Sequence, residues 1–228
     1  MSGLLFKFVK LALRSQYKKP AVYGMQNYDP ETPGIFLSNH ERFYGPIIVT
    51  TRFPISVRQW ATSLMMDLED TKIYVKETLF MDTLKMKEGI ATLLGSLAAH
   101  PISWAIRSAN PIPAYWDAKK SAKSIKYGLE AIKKGENQLI YAANCKPADE
   151  DFNFMQGYLI LAKFANKILG VNPKIYPVAL NKKKGSISIG THALYNLKSD
   201  FNAESLRINQ YIIEQIRQGY NNPNLFDN

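Results

Sequence analysis

Ile35-Phe36-Leu37-Ser38-Asn39-His40-Glu41-Arg42-Phe43-Tyr44-Gly45-Pro46 is the stretch that decides the fold. Its first four residues form a short apolar run, preceded by the turn chemistry of Asp29-Pro30-Glu31-Thr32-Pro33-Gly34. That combination predicts a buried strand. The strand ends at Asn39-His40 and so carries an imidazole to its carboxyl end. A helix follows through about Thr51 and is halted by Pro54, while Gly45-Pro46 predicts irregular backbone near its start.

Working outward, Ala21–Met25 and Ser56–Thr62 read as strands, and residues from about Tyr74 to Arg107 as interrupted helix. Ile112–Tyr115 is a short strand, and Lys120–Lys134 a basic amphipathic helix ended by Gly135. Gln138–Tyr141 is a buried-type strand, followed by a polar loop from Ala142 to Asn153 and a helix over Phe154–Leu169. Lys174–Leu180 and Ser186–Gly190 are strands joined by a turn at Asn181–Gly185. Ala203–Gln218 is a last helix, with Leu206, Ile212, Ile213 and Ile216 expected inward. Strands alternating with helices give an α/β fold, a mixed β-sheet flanked by helices, with an N-terminal amphipathic helix. The expected organisation is a helix over residues 1–19 and a single α/β domain over 20–228.

The 228 residues carry a net charge of +10 with an ordinary 46% hydrophobic content. Such a balance suits an anionic partner, whether nucleic acid, an anionic membrane or a phosphorylated or CoA-type substrate, or else a solvated lysine-rich surface. No recognised nucleic-acid module or glycine-rich phosphate loop is present, so no nucleic acid is expected. Cys145 is the single cysteine, which excludes an intramolecular disulfide, and His40, His100 and His192 lack metal-ligand spacing.

At the N-terminus, Lys7, Lys10 and Arg14 share one helical face, while Leu4, Leu5, Phe8, Leu11 and Ala12 share another. That pattern fits a helix lying in a membrane interface, or one docked on the protein's own core. The lysines interrupting the apolar stretch argue against a secretory signal. Gly89 to Ile106 is free of formal charge, but its glycines, serines, histidine and interior Pro101 predict a buried or monotopic helix broken near Pro101. No transmembrane helix is expected.

Four landmarks resemble, in order and spacing, those of the glycerolipid (lysophospholipid) acyltransferase family. They are Ser38-Asn39-His40; Asn110-Pro111-Ile112-Pro113-Ala114-Tyr115-Trp116; Tyr141-Ala142-Ala143-Asn144-Cys145-Lys146; and Ile175-Tyr176-Pro177-Val178-Ala179-Leu180. The resemblance spans about Val22 to Gly190 and implies the fold above. In that family the histidine is the general base and an Asp five residues later orients it. Here the Asp, Arg and Glu positions of the first three motifs hold Gly45, Trp116 and Ala143.

By that resemblance the chain would move a fatty acyl group from acyl-CoA or acyl-carrier protein to a lysophospholipid hydroxyl, with His40 as base. No cofactor is implied beyond the acyl donor. Glu41 is either a substitute orienter or a surface glutamate favoured by the helix dipole. Asn39, Arg42, Tyr44, Arg58, Tyr141, Asn144 and Lys146 are the expected substrate-binding residues, with Lys146 keeping the positive charge of the third motif and Arg42, Arg58, Lys119 and Lys120 able to supply that lost at Trp116. Trp116 is expected to pack as a wall or sit at a membrane interface. The expected location is peripheral, on the cytoplasmic side of an anionic membrane. The alternative is a family-like protein that binds lipid or acyl-CoA without turnover.

Overall fold

A computed structural model describes residues 2–143, 147 and 157–227. The chain groups into two compact units, Met1–Val9 with Trp60–Ser124, and Lys10–Gln59 with Ile125–Asn228. Seven strands are present among the described residues: β1 (Ala21–Tyr23), β2 (Gly34–Asn39), β3 (Val57–Thr62), β4 (Ile112–Ala114), β5 (Asn137–Ala143), β6 (Lys174–Asn181) and β7 (Ser186–Ile189). They hydrogen-bond in the order β1-β7-β6-β2-β5-β3-β4, all neighbours parallel except the β6–β7 hairpin. Strand β3 belongs to both units: Val57–Gln59 pair with β5, and Trp60–Thr62 with β4. The expected α/β architecture with a helix-flanked mixed sheet is what the chain adopts.

Within the larger unit, β2 is central, between β5 and β6. A parallel strand covered on both faces is apolar without alternation, and every residue of β2 is buried. On one face Phe36, Tyr176, Val178 and Leu180 meet Tyr44, Ile48 and Val49 of helix α2 (Tyr44–Arg52). Phe36 stacks on Tyr176 with ring centroids 4.8 Å apart. Helix α7 (Phe201–Asn221) covers β6 and β7 from the other face, where a Cβ on Gly219 would lie 3.0 Å from Ser188 and 3.1 Å from Ala179. Its inward stripe runs through Ser205, Ile208, Ile212 and Ile216. Leu206 was expected inward and is 59% exposed, because that stripe puts it on the opposite side of the helix.

In the smaller unit, helix α4 (Glu88–Ser108) packs through small residues and shows its large ones to the outside. Ala91, Gly95, Ala99 and Ser103 are buried at every fourth position. A Cβ on Gly95 would stand 3.1 Å from Lys76 Cβ and 3.3 Å from the Lys72 carbonyl, so the helix approaches α3 (Leu68–Tyr74) and the following segment almost backbone to backbone. Ile90, Leu93 and Leu97 on the opposite side are 55–66% exposed. The break expected near Pro101 does not occur, since α4 runs through it without interruption. Pro101 lies on the exposed side of the helix. By length and composition, α4 is the one described helix that could cross a bilayer, and only weakly so.

Where β2 leaves the sheet, its ladder to β6 is continued by a side chain. Main-chain pairing runs to Ser38 opposite Val178. The Asn39 amide then donates to the Leu180 carbonyl at 2.8 Å and accepts from the Leu180 N–H at 2.8 Å, replacing one peptide unit of the ladder. Both residues are buried. Asn39→Ala would leave both Leu180 groups without partners, each costing about 1–3 kcal/mol. We expect Asn39→Ala to lower stability by about 2–4 kcal/mol, or roughly 5–15 °C in Tm, with the urea m-value unchanged.

Candidate active site

His40 stands one residue past β2. The chain reaches β3, beyond β5, by leaving β2, and reaches β6, on the other side of β2, by leaving β5. The carboxyl end of β2 is therefore a switch point of the sheet, where parallel α/β folds open a crevice. The pairing of β2 with β5 shifts there, with Ser38 opposite Tyr141 but Asn39 opposite Ala143. Such a bulge re-aims the residues beside it.

The His40 ring packs against Tyr141, with centroids 4.8 Å apart and planes tilted by 51°. Tyr141 is anchored in turn. Its hydroxyl donates to Gln59 Oε1 at 2.6 Å, Gln59 Nε2 donates to Thr50 Oγ1 at 2.8 Å, and the Thr50 hydroxyl donates to the Pro46 carbonyl at 2.7 Å. A single chain of hydrogen bonds thus links β5, β3 and α2 behind the histidine. Burial pushes the Tyr141 phenol well above its ordinary value, so it stays a donor. Gln59 and Thr50 were not legible as site residues, because only the tertiary fold brings them to Tyr141.

Burial pulls His40 below the ordinary histidine value of 6.5, while main-chain hydrogen bonding at Arg42 and at His40 itself works the other way. The ring is neutral at pH 7 and can accept a proton. The backbone after it is strained: Glu41 has φ 46° and Arg42 φ 52°. Left-handed geometry costs a non-glycine residue about 1–2 kcal/mol. Glu41 Oε1 is buried without a hydrogen-bond partner. The Tyr44 N–H closes back on the Glu41 carbonyl at 3.1 Å. A Cβ placed on Gly45 would fall 2.0 Å from the His40 carbonyl oxygen.

The other sequence-derived residues divide sharply. Asn39 spends both ends of its amide on Leu180. Arg42 is exposed. Tyr44 is buried in the α2 core, edge-on to Tyr17 at 5.4 Å, and burial followed by the nearby Glu41 charge raises its phenol. Arg58 is paired with Glu136 at 3.3 Å. In the smaller unit Trp116 is exposed, its indole N–H donating to Thr62 Oγ1 at 3.3 Å. Asn144 and Lys146 lie outside the described residues. Among the described residues, no group of three or more His, Cys, Asp or Glu side chains is arranged to hold a metal ion.

No protein-family model matches the chain, and no curated protein does. Among solved structures, it is similar to the 1-acyl-sn-glycerophosphate (LPA) acyltransferase PlsC from Thermotoga maritima. The match has a TM-score of 0.54 and 16% sequence identity, covering 96% of this chain and 78% of that one. At that identity the likeness is one of fold, and the fold it shares is that of an acyltransferase.

Proposed function

We propose that the protein transfers a fatty acyl group from a thioester donor, acyl-CoA or acyl-carrier protein, to the hydroxyl of a lysophospholipid, with His40 as general base. The observation that carries this is an imidazole at the switch point of an acyltransferase-like sheet, held against a hydrogen-bonded tyrosine. The Nε2 or Nδ1 lone pair takes the acceptor hydroxyl proton as its oxygen attacks the thioester carbonyl. The C–S bond then breaks, and the thiolate leaves with the proton returned by the imidazolium. Arg42, exposed beside the base, and Lys146 supply positive charge for a phosphate-bearing acceptor.

A peripheral membrane location follows the same chemistry, because both the acceptor and the acyl chain partition into lipid. Its support is the outward face of α4 together with α1 (Ser2–Gln16), on which Phe8 and Leu11 are 60% and 63% exposed. The start of α1 and the end of α4 are joined in one unit by an edge-on contact of Phe6 with Trp104, ring centroids 6.5 Å apart. Large apolar residues aimed outward, with lysines along α1, suit an interface of acyl chains and anionic headgroups.

A second proposal, binding of lipid or acyl thioester without turnover, is favoured by one observation: the backbone closes over Gly45, so no orienting carboxylate fits there.

The distinguishing experiment follows thiol release with a panel of lysophospholipids and acyl donors. His40→Ala should lose about 10²–10⁴-fold in turnover while keeping its fold. Equal turnover from the two proteins would remove His40 from the chemistry, and binding with no turnover from either would establish the second proposal. In the wild type kcat/KM should hold level above neutrality and fall on the acid side below 6.5, because burial favours the neutral ring and protonation abolishes the base. Leu93→Glu with Leu97→Glu should weaken binding to anionic vesicles by at least about tenfold, given about 1.5–3 kcal/mol per buried leucine. Tm should be nearly unchanged because neither side chain is packed in the fold.

A further inference from the structure

Lysines gather at one corner of the larger unit, where β6 turns into β7 and β1 enters the sheet. Asn181 at the end of β6 pairs with Ser186 at the start of β7, and Ser186 pairs with Ala21 at the start of β1. The Ala21 N–H also donates to the Gly185 carbonyl at 2.9 Å. Residues 18–20 and the turn 182–185 therefore leave the sheet side by side. They do so on the edge where β2 ends, since Leu180 is tied to Asn39. Lys18, Lys19, Lys182, Lys183 and Lys184 are all exposed there. None of them forms an ion pair among the described residues.

At this corner is a cleft of about 610 Å³, lined by Tyr23 of β1, by Lys184 and Ser186, and by Asn222, Asn224 and Leu225 just past α7. Among the described residues, no acidic side chain lines it. Ser186 is 2% exposed, and its hydroxyl is buried without a hydrogen-bond partner. Strand alternation explains its direction: Ile187 and Ile189 enter the core beside α2, so Ser186 and Ser188 face α7. Ser188 donates to the Gly219 carbonyl at 3.3 Å, whereas the helix offers Ser186 nothing. A buried hydroxyl left unpaired is costly, and an acceptor atom in the cleft would relieve it. Lys184 Nζ donates to the Asn221 carbonyl, which spends one of its three N–H groups and leaves two. Two features oppose an anion here. The carbonyl end of α7 is worth about half a negative charge, and Asp227, whose Oδ1 accepts from the Gly24 N–H at 3.1 Å, adds one carboxylate. The five lysines outweigh both.

We propose that this cleft binds a phosphate ester, carried by a lipid headgroup or by a free soluble compound, with the Ser186 hydroxyl and the Lys184 ammonium as donors to the phosphoryl oxygens. A phosphoryl group accepts hydrogen bonds tetrahedrally, from several sides at once. That suits a hydroxyl, an ammonium and two carboxamides set around a cleft better than a planar carboxylate would. Lysine serves phosphate as a point charge without the fixed fork of arginine, and the other four lysines raise the local concentration of anions. The site shares no residue with the His40 crevice and lies beyond β6 from it, so it stands whether or not His40 acts as a base.

Binding by the full chain tests the proposal without reference to turnover. Glycerol 3-phosphate is titrated calorimetrically as the soluble probe, and vesicles of phosphatidylcholine with and without phosphatidic acid supply the headgroup probe. Ser186→Ala should weaken binding at least about tenfold, as loss of a hydrogen bond to a charged group does. Its Tm should stay level or rise, because the hydroxyl has no partner within the fold. Lys184→Gln should weaken binding by at least as much. A double variant removing charge elsewhere, Lys133→Gln with Lys134→Gln, should change it less than twofold. Ser186-dependent binding of both probes would make a free phosphate ester a ligand, and Ser186-dependent binding of vesicles alone would make the ligand a lipid headgroup. Either result supports the site. Binding unmoved by Ser186→Ala, or weakened as much by the Lys133 and Lys134 changes, would reduce the corner to diffuse surface charge and overturn it. So would wild-type protein that binds neither probe.

Discussion

The amide of Asn39 is the constraint on which the site depends. Strand β2 must stay in the sheet long enough to be rigid and must leave it in time to present His40. A backbone unit cannot do both, because its N–H and C=O are tied to its direction of travel. The Asn39 side chain separates the two tasks: it satisfies Leu180 on β6 while its own main chain turns toward the histidine. The bulge against β5 at the same position frees the other edge. Rigid on one side and released on the other, His40 is placed by the sheet, and its ring rests on Tyr141.

Most of the scaffold was legible because its strands are buried on both faces. Ile35–Ser38, Gln138–Tyr141 and Lys174–Leu180 are unbroken or nearly unbroken apolar runs between turn signals, and all three lie side by side at the centre of the sheet. Periodicity failed where it had two solutions. Leu206 fits an apolar stripe on paper, but the buried stripe of α7 includes Glu204 and Asn209, polar residues that find partners inside, and Ser205, whose hydroxyl is buried without one. Pro101 carries a helix-breaking preference, yet α4 runs through it.

The site was legible only in part, for a physical reason. His40 and Tyr141 could be named from strand ends, and the fold does bring their rings together. Asn39 could be named, but its amide is committed to Leu180. Gln59 and Thr50 belong to a hydrogen-bond chain across three elements, which no local spacing encodes. The turn after His40 uses left-handed Glu41 and Arg42, residue types whose ordinary preference is elsewhere, so the most unusual backbone in the chain left almost no trace in the sequence beyond Gly45.

The contact of Gly45 with the His40 carbonyl also decides which substitutions the chain can accept. With the turn closed, glycine is the only occupant that the backbone admits at position 45. A side chain enters there only if the main chain at Glu41–Arg42 opens, so position 45 and the turn can change together but not singly, and sterics hold the glycine whatever the reaction demands.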